Sequence, residues 1–447
     1  MDHSLHLVAG LGKTGLSIAR YLHRNNKPFI VFDTRKDAPG VAEIRAEFPE
    51  VPIYLGHIPT ELISQLTDIV ASPGVSLDLP FLKQAKQADI AIYGDIECLA
   101  REVKAPVVAI TGTNGKSTVT TLVGEMAKAA GFRVAVAGNI GTPVLDLLDD
   151  GHQYDLWVLE LSSFQLDLTY SLSPIAATIL NVTPDHLDRH HSFEAYVEAK
   201  QRIYHQAKIA LFSRDDSWTT PITQYDNDLT HISFGQNAPD EGHWGLINQD
   251  NKIFLAKGRD RILAVDSLLI KGVHNWLNAL ASCALAEAVG IPMHHIIDVL
   301  KMFSGLPHRC QWVRTLDHVE WINDSKGTNV GATISAINGI GGSMQGKIVL
   351  IAGGQGKGAD FQELAQPIAD FVRSIVLIGE DADKMEAELG HVVPTTRASS
   401  LEGAVVIAKT QAKPGDVVLL SPACASLDMF RDFNHRGEVF TASVIGL

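Results

Sequence analysis

Short apolar runs alternate along this chain with segments whose apolar residues recur at helical spacing. This alternation predicts β-strands joined by helices, an arrangement that produces parallel sheets. Three series follow one another, with predicted strands at 6–9, 29–33, 53–55, 68–72 and 90–93, then at 106–110, 133–137, 155–161 and 176–182, and finally at 319–322, 347–352, 374–378 and 416–420. The pattern therefore predicts an α/β protein of three domains.

Two breaks in the pattern, at 94–95 and 305–307, give the domain boundaries. We predict domains at 1–94, 95–305 and 306–447, a division that suits a chain of 447 residues. Within the middle domain, 213–266 carries only short alternating runs, such as 231–234 and 252–255. We interpret this segment as an antiparallel insertion.

Charge and cysteine content narrow the partners and the compartment. The 51 acidic residues outnumber the 37 basic ones, and the formal net charge of −14 disfavours nucleic acid and anionic membranes as partners. The cysteines Cys98, Cys283, Cys310 and Cys424 lie far apart in the sequence, so we expect a reducing compartment and neither a disulfide framework nor a zinc site. No basic segment opens the chain and no apolar run reaches membrane-spanning length, so we expect a cytoplasmic protein.

The strongest chemical signal is the run Thr-Gly-Thr-Asn-Gly-Lys-Ser-Thr at 111–118. It separates a predicted strand from a predicted helix, the setting in which backbone N–H groups, a helix N-terminus and a lysine, here Lys116, bind a polyphosphate. A hydroxyl from Ser117 or Thr118 would ligate Mg²⁺. The usual loop would need glycine in place of Ile110, so this is a shortened form. The alternative is a helix start with a chance Gly-Lys-Ser, and we interpret the run as a nucleotide site.

A second glycine motif, Gly-Leu-Gly-Lys-Thr-Gly at 10–15, follows the first predicted strand, and Asp33 ends the second. Together they are typical of dinucleotide binding and would indicate a nicotinamide or flavin enzyme. The same glycines also suit a tight strand-to-helix turn, or a site for another nucleotide diphosphate. The motif alone leaves these three interpretations open.

Acidic residues at strand ends are candidates for holding a metal ion. Glu160 lies at the end of a predicted strand, where it would hold Mg²⁺ bridging phosphates, or alternatively cap the next helix. Asp185, His186 and Asp188 follow the next strand, and they would contact metal or substrate, or lie in surface turns.

Lys200 falls on a helical stripe of apolar and aromatic residues formed by Phe193, Tyr196, Val197, Ile203 and Tyr204. A lysine there either extends its stem to water or is held with an altered charge state. A neutral lysine can take up CO₂ and become a carbamate, which is an anionic metal ligand. The residues alone leave both alternatives open.

Three polar loops of small residues follow predicted strands of the third series, at 323–329, 353–357 and 421–426. Because the carboxyl ends of parallel strands meet at one edge of a sheet, we interpret these loops as a second binding surface facing the nucleotide site. The alternative is a helix cap in each loop.

Four segments together, at 111–118, 160–165, 181–188 and 272–275 followed by Asn278, resemble the Mur ligases, which are ATP-dependent amide-forming enzymes of peptidoglycan precursor synthesis. Two further segments, 324–329 and 421–428, are similar to the members that join D-glutamate to UDP-N-acetylmuramoyl-L-alanine. The resemblance implies a Rossmann-like N-terminal domain for the UDP substrate, a central P-loop-type ATPase domain with a parallel sheet, and a Rossmann-like C-terminal domain for the amino acid. Folylpolyglutamate synthase, a nicotinamide oxidoreductase and a non-enzymatic nucleotide switch are the alternatives.

The resemblance also implies a role for each matching residue. ATP would contact Gly112, Thr113, Asn114, Gly115, Lys116, Ser117, Thr118, Asn275, Asn278, Arg309 and Asp324. Two Mg²⁺ sites would use Ser117, Glu160, His186 and a carbamylated Lys200. The UDP substrate would contact Lys13, Thr14, Thr34, Arg35, Asn139 and His186, and D-glutamate would contact Thr328, Lys357, Ser426 and Phe433. The catalytic set would be Lys116, Glu160, His186, Lys200 and Lys326, acting in a monomer.

Two positions depart from the family pattern. Gln355 stands where aspartate is common, and Gly327 stands where alanine is common. Neither carries a charged contact in the implied site, so we expect effects only on loop geometry and substrate affinity.

Overall fold

The computed structural model describes residues 4–222, 228–342 and 344–447, and the side chain of Asp188 lies outside the description. Residues 1–3 and 223–227, which entered the predictions for the N-terminus and the insertion, lie outside it as well. The chain forms two compact units. The first contains Met1–Ile247, Ala256–Arg261 and Asn278–Val299, and the second contains Asn248–Leu255, Ile262–Leu277 and Leu300–Leu447.

The first sheet of the first unit is parallel, with the strand order β3-β2-β1-β4-β5. Its strands are β1 (His6–Ala9), β2 (Phe29–Asp33), β3 (Ile53–Leu55), β4 (Asp68–Ala71) and β5 (Ala91–Tyr93). The helices here are α1 (Lys13–Arg24), α2 (Val41–Glu47), α3 (Thr60–Ile63), α4 (Pro80–Gln87) and α5 (Asp95–Ala100). Because the strand order reverses at β1, a crevice opens beyond its carboxyl end, where open α/β sheets bind ligands.

The second sheet is also parallel, in the order β11-β10-β9-β6-β8-β7. Its strands are β6 (Val107–Thr111), β7 (Val134–Gly138), β8 (Leu156–Glu160), β9 (Ala176–Ile179), β10 (Ile209–Ser213) and β11 (Thr230–Phe234). The helices between them are α6 (Lys116–Ala129), α7 (Val144–Leu148), α8 (Ser163–Leu166), α9 (Leu187–His190) and α10 (Phe193–Gln201). The inner strands are buried on both faces, which explains their nearly continuous apolar sequences.

The prediction of an antiparallel insertion at 213–266 is wrong for its first part. β11 pairs in parallel with β10 and extends the second sheet, because its short apolar run pairs with the edge strand rather than with its successors in sequence. A separate sheet has the order β12-β13-β14, formed by β12 (Trp244–Gln249), β13 (Lys252–Lys257) and β14 (Asp260–Ala264). Its two-residue connections can join only antiparallel strands. Helices α11 (Val273–Ala288) and α12 (Met293–Met302) follow.

One apolar core runs through the first two sheets. It joins Val8 and Val31 of the first sheet to Ala109 and Leu159 of the second. Helix α1 packs against α7, and α5 packs against α7 as well. The first two sheets therefore share one core, and a second core, which includes Leu7, Ala9 and Ile30, covers the other face of the first sheet.

The sheet of the second unit has the order β15-β16-β20-β17-β18-β19, parallel except for the antiparallel edge strand β15. Its strands are β15 (Gln311–Leu316), β16 (Val319–Asn323), β17 (Ile348–Gly353), β18 (Val372–Ile378), β19 (Thr395–Arg397) and β20 (Val417–Leu420). The helices are α13 (Val330–Gly341), α14 (Ala365–Phe371), α15 (Ala382–Leu389), α16 (Leu401–Gln411) and α17 (Phe433–Ile445). Within the described ranges of the chain, no helix has the length and apolar character needed to cross a membrane.

Candidate active site

The predicted nucleotide loop joins β6 to α6. Two of its glycines have left-handed backbone angles, with φ of 147° at Gly112 and 84° at Gly115. A Cβ atom on Gly115 would lie 2.4 Å from Asn278 Oδ1, so the glycine allows Asn278 to pack directly on the loop. Lys116 Nζ donates hydrogen bonds of 2.9 Å to the carbonyl oxygens of Gly112 and Thr113. The lysine is thus folded over the turn that would receive phosphates.

Asn181 fixes the middle of this loop, a role that the sequence analysis did not assign. The Asn114 backbone N–H donates to Asn181 Oδ1 at 2.8 Å, and Asn181 Nδ2 donates to the Asn114 carbonyl oxygen at 3.1 Å. Thr113 Oγ1 donates to the Thr183 carbonyl oxygen at 3.2 Å. These bonds attach the loop to the segment that follows β9 and carries Asp185 and His186.

Lys200 is buried, with 2% of its surface exposed, so its stem does not extend to water. Its Nζ donates to the Gly112 carbonyl oxygen at 3.0 Å and lies 4.5 Å from the centre of the Tyr196 ring. Burial, and then the charge of Lys116, lowers the pKa of Lys200 to about 7. A substantial fraction of the amine is therefore neutral near neutral pH, the form that reacts with CO₂.

Glu160 ends β8 with one oxygen satisfied and the other not. Asn139 Nδ2 donates to Glu160 Oε1 at 3.0 Å, whereas Oε2 is buried and has no hydrogen-bond partner in the described part of the chain. The cap of α8 is Ser162, whose hydroxyl accepts from the Gln165 backbone N–H at 3.2 Å, so the alternative of Glu160 as the helix cap is wrong. A buried carboxylate oxygen without a partner suits a cation.

His186 and Asp185 lie on an exposed turn. The His186 side chain is 51% exposed, and its Nε2 lies 3.6 Å from Asp185 Oδ2. Over the residues that the structure describes, no group of three His, Cys, Asp or Glu residues is arranged to hold a metal ion, and Asp188 cannot be placed because its side chain lies outside the description. Mg²⁺ bound with nucleotide keeps waters and phosphate oxygens as ligands, so one or two protein carboxylates suffice.

A cavity of about 690 Å³ opens beyond the carboxyl end of β1. Its lining includes the predicted contacts Lys13, Thr14, Thr34, Arg35 and Asn139, together with the turn at 72–76 and Gln165. His186 is not among the lining residues in the described ranges. The cavity wall thus carries Lys13 and Arg35, and Arg35 is paired there with Asp33, which leaves a net positive charge that favours an anionic ligand.

The Asp33 carboxylate is used in hydrogen bonds within the cavity wall, so it is not available to bind the ribose of a dinucleotide. Its Oδ2 accepts from the Leu11 backbone N–H at 2.7 Å, and its two oxygens accept from Arg35 Nε and Nη2 at 2.9 Å each. Burial raises the pKa of Asp33, but these hydrogen bonds outweigh burial and lower the pKa below its ordinary value. Gly15 is required here, because a Cβ on it would lie 1.8 Å from the Gly10 carbonyl oxygen.

In the second unit, the loops after β16, β17 and β20 meet at one sheet edge, as predicted. Ser421 Oγ donates to Asp324 Oδ2 at 2.7 Å, and the Cys310 backbone N–H donates to Oδ1 at 3.1 Å. Burial raises the pKa of Asp324 to about 6. The Gln355 backbone N–H donates to the Ala425 carbonyl oxygen at 3.0 Å, which links the other two loops.

The predicted D-glutamate contacts lie on these loops or at the start of α17. Lys326 Nζ lies 5.4 Å from the centre of the Phe433 ring, and Ser325 Oγ donates to the Phe433 carbonyl oxygen at 2.7 Å. Ser426 is buried after β20, and Lys357 has a left-handed φ of 52°. Thr328, Arg309 and Asn275 belong to the same unit, with Asn275 Nδ2 donating to the Lys271 carbonyl oxygen at 2.8 Å.

Sequence reasoning missed Arg436 of α17, which is 1% exposed. Its guanidinium donates to Ser325 Oγ at 3.0 Å, to the Ser325 carbonyl oxygen at 2.8 Å and to the Cys424 carbonyl oxygen at 3.1 Å. Burial lowers the pKa of Arg436 to about 10. It holds two of the three loops together, and no local spacing in the sequence signals this because its acceptors lie 12 and 111 residues away.

Contacts in the structure explain both departures from the family pattern. A Cβ on Gly327 would lie 2.6 Å from Asp324 Oδ2 and 2.8 Å from Ser421 Oγ, so glycine leaves room for their hydrogen bond. Gln355 Nε2 donates to Glu380 Oε2 at 3.4 Å, a contact that an aspartate would replace with repulsion.

Family models and relatives agree with this architecture. The Mur ligase MurD-like N-terminal domain matches residues 4–94, the Mur ligase middle domain matches 110–286, and the Mur ligase glutamate ligase domain matches 308–424. The chain belongs to the Mur ligase family. A relative from Legionella pneumophila (strain Lens), 77% identical over 100% of both chains, is named UDP-N-acetylmuramoylalanine--D-glutamate ligase. A Pseudomonas aeruginosa relative of the same name is 49% identical over 99% of this chain and 98% of its own.

Solved structures support the fold. UDP-N-acetylmuramate-alanine ligase MurC from Thermotoga maritima matches with a TM-score of 0.55 and 18% identity, covering 99% of both chains. A UDP-N-acetylmuramoyl-L-alanyl-D-glutamate--2,6-diaminopimelate ligase matches with a TM-score of 0.62 and 17% identity, covering 99% of this chain and 92% of its own. The nicotinamide or flavin interpretation of 10–15 is therefore wrong, since that motif lies within a Mur ligase N-terminal domain.

Proposed function

We propose that this chain is the ATP-dependent ligase that joins the L-alanyl carboxylate of UDP-N-acetylmuramoyl-L-alanine to the amine of D-glutamate, in peptidoglycan precursor synthesis. The observation that carries the proposal is the position of Asn139. This residue lines the cavity and also donates to Glu160, beside the nucleotide loop. One side chain thus connects a site for a sugar nucleotide to a site for a triphosphate.

The reaction would proceed in two steps. An oxygen of the L-alanyl carboxylate attacks the γ-phosphorus of ATP, and the bond from that phosphorus to the bridging oxygen breaks, releasing ADP and leaving an acyl phosphate. The amine of D-glutamate then attacks the acyl carbon to form a tetrahedral intermediate, which collapses as phosphate leaves and the nitrogen loses a proton. Lys116 and the loop N–H groups offset the repulsion between two anions in the first step.

We assign Mg²⁺ binding to Ser117, Glu160, His186 and a carbamylated Lys200, with two ions as the expectation. The unpartnered Oε2 of Glu160 and the lowered pKa of Lys200 favour this set. Bound Mg²⁺ would neutralise charge on the phosphate oxygens. The protein's own contribution is to hold these ligands on four neighbouring segments: Ser117 on α6, Glu160 at the end of β8, His186 just before α9 and Lys200 on α10.

We assign D-glutamate to Thr328, Lys357, Ser426 and Phe433, and a catalytic contact to Lys326. ATP would additionally contact Asn275, Asn278, Arg309 and Asp324, and the UDP substrate would contact His186. We further propose a monomer that acts in the cytoplasm. The domain boundaries at residues 94 and 305 stay predictions.

The test is phosphate release by the purified chain with ATP, Mg²⁺ and UDP-N-acetylmuramoyl-L-alanine. D-glutamate should support turnover, whereas L-glutamate, L-lysine and meso-diaminopimelate should not. Lys116→Ala should abolish ADP formation while leaving binding of the sugar nucleotide measurable. No release of phosphate with D-glutamate would contradict the assignment.

A further inference from the structure

A single arginine outside the assigned site connects the two walls of the sugar-nucleotide cavity. Arg189 lies in α9, which packs with the second sheet, yet its guanidinium contacts the turn that follows β4 of the first sheet. It donates to the carbonyl oxygens of Pro73 and Gly74 at 3.3 Å each, and also to that of Val75. These three consecutive residues line the cavity.

The turn that Arg189 holds is itself tied to the base of the cavity. The Val75 backbone N–H donates to the Ser72 carbonyl oxygen at 3.0 Å, and Ser72 Oγ donates to the Gly10 carbonyl oxygen at 3.2 Å. Gly10 begins the glycine motif that would receive the diphosphate. Movement of the 72–75 turn would therefore be transmitted to that motif.

The face of the guanidinium lies over an aromatic ring on the side of the proposed catalytic residues. Its central carbon lies 4.9 Å from the centre of the Phe164 ring, which belongs to α8, the helix that follows Glu160. The same ring lies 5.0 Å from the His186 ring and stacks on the His190 ring at 5.3 Å. His190 Nε2 lies 2.9 Å from Ser163 Oγ, which fixes α9 on α8.

We propose that Arg189 is a positioning residue, which sets the distance between the wall that binds the sugar nucleotide and the wall that carries the phosphate chemistry. The inference rests on the proposed function. The triphosphate is fixed by the nucleotide loop of one domain and the nucleotide diphosphate by the glycine motif of the other. The approach of carboxylate to phosphorus, which must be about 3–3.5 Å, consequently depends on how these walls are spaced.

The geometry requires arginine rather than any cation. A planar guanidinium can donate to several carbonyl oxygens in its own plane while its face lies on an aromatic ring. A lysine ammonium is a point charge and cannot hold both arrangements at once. Charge alone would therefore not replace Arg189.

The experiment compares Arg189→Ala and Arg189→Lys with Arg24→Ala in the full chain. Arg24 is a matched control, because it also joins the first sheet to the second, donating to the Leu145 carbonyl oxygen at 3.3 Å and to Asp149. Its acceptors do not line the cavity, whereas the three acceptors of Arg189 do. Steady-state kinetics are measured for each substrate, and affinity for UDP-N-acetylmuramoyl-L-alanine is measured by calorimetry without ATP. Thermal midpoints show whether each variant folds.

We expect Arg189→Ala to lower kcat/KM for the sugar nucleotide by about 10- to 100-fold, through both weaker affinity and lower kcat, with KM for ATP changed by less than about twofold. Arg189→Lys should recover only a minor part of the loss. Arg24→Ala should lower the thermal midpoint about as much as Arg189→Ala does, while its kcat/KM stays near that of the wild type.

The inference would be overturned if either Arg189 variant kept the kinetics of the wild type, or if Arg24→Ala lost as much kcat/KM as Arg189→Ala. In both cases turnover by the wild-type protein would leave the proposed function intact. If the wild-type protein binds the sugar nucleotide but does not turn over, the proposed function fails instead. The calorimetric comparison of the variants still tests Arg189 in that case.

Discussion

Lys200 is the residue whose charge state matters most to the proposed chemistry. Its amine is enclosed by the nucleotide loop and the Tyr196 ring, and burial together with Lys116 lowers its pKa to about 7. Since the neutral form prevails above that pKa, reaction with CO₂ should become more favourable as pH rises through 7. A carbamate would then place a negative charge where the structure otherwise brings two lysines together.

Lys200→Ala should reduce ligase activity by about 10³-fold, because losing the proposed carbamate would weaken the binding of the Mg²⁺ that offsets the phosphate charge. Short carboxylic acids added to the assay should restore part of that activity by occupying the vacated space. The exposed Lys208 is a control, and Lys208→Ala should keep wild-type activity. Near-wild-type activity in Lys200→Ala would contradict the carbamate role.

Asp95 offers a prediction about stability rather than catalysis. It is buried at the start of α5, its Oδ1 has no partner in the described part of the chain, and burial raises its pKa to about 6 from an ordinary 3.8. The folded protein therefore holds this proton more tightly than the unfolded chain does between pH 4 and 6. Stability should fall as pH rises through that window, by on the order of 2 kcal/mol.

Asp95→Asn removes this ionisation, so its thermal midpoint should exceed that of the wild type at pH 8 and not at pH 4.5. Thermal unfolding at a series of pH values measures the difference. Asp260→Asn, at an exposed position, should follow the wild-type curve throughout. A constant difference between Asp95→Asn and the wild type across pH would show that ionisation is not the cause.

At the scale of elements, helix α6 has a glycine with left-handed φ at each end. Gly115 has φ of 84° and packs against Asn278, whereas Gly131 has φ of 87° and a Cβ there would meet no described atom within 4 Å. Gly115→Ala should therefore lower nucleotide affinity by about 100-fold or more, because the loop must shift to relieve the contact between the new Cβ and Asn278. Gly131→Ala should cost only the backbone strain, about 1–2 kcal/mol of stability, and leave nucleotide affinity unchanged.

Nucleotide affinity from calorimetry and stability from denaturant unfolding separate the two effects. Equal losses of affinity in Gly115→Ala and Gly131→Ala would indicate that general disturbance of α6, and not the loop contact, is responsible. Both substitutions flank the same helix at nearly the same φ, so a difference between the two variants reports on the loop contact alone.

Elements with strong local signals could be predicted from the sequence, and long-range pairings could not. Strands β1 and β2 lie at their predicted positions, because their runs are apolar and bounded by turns. β11 was misassigned because its alternating sequence does not reveal its parallel partner. The roles of Arg189 and Arg436 could not be predicted for a related reason. Both arginines donate to backbone carbonyl oxygens, which every residue carries, so the sequence does not indicate which residues accept.

At the scale of the molecule, one of the two cores of the first sheet is shared with the second sheet, although the sequence breaks between them at 94–95. Helix α1 packs on α7, and Ser17 Oγ donates to Asp146 Oδ1 at 2.9 Å across that contact. Tyr21 and Leu22 of α1 are almost fully buried in the whole chain. Both belong to the shared core, and separating the sheets would expose apolar surface of that core, at about 25 cal/mol for each Å².

A fragment of residues 1–94 should therefore be much less stable than the same residues in the whole chain, even though its parallel sheet is complete. Circular dichroism and thermal unfolding of the fragment test this, with the full chain as reference. Hydrogen exchange provides a second measurement: UDP-N-acetylmuramoyl-L-alanine alone should slow exchange in β6 and α6 as well as in β1, because a shared core opens as one unit. A fragment with a cooperative transition near that of the full chain, or protection confined to β1–β5, would mean that the first sheet folds on its own and that the break at 94–95 is a true domain boundary.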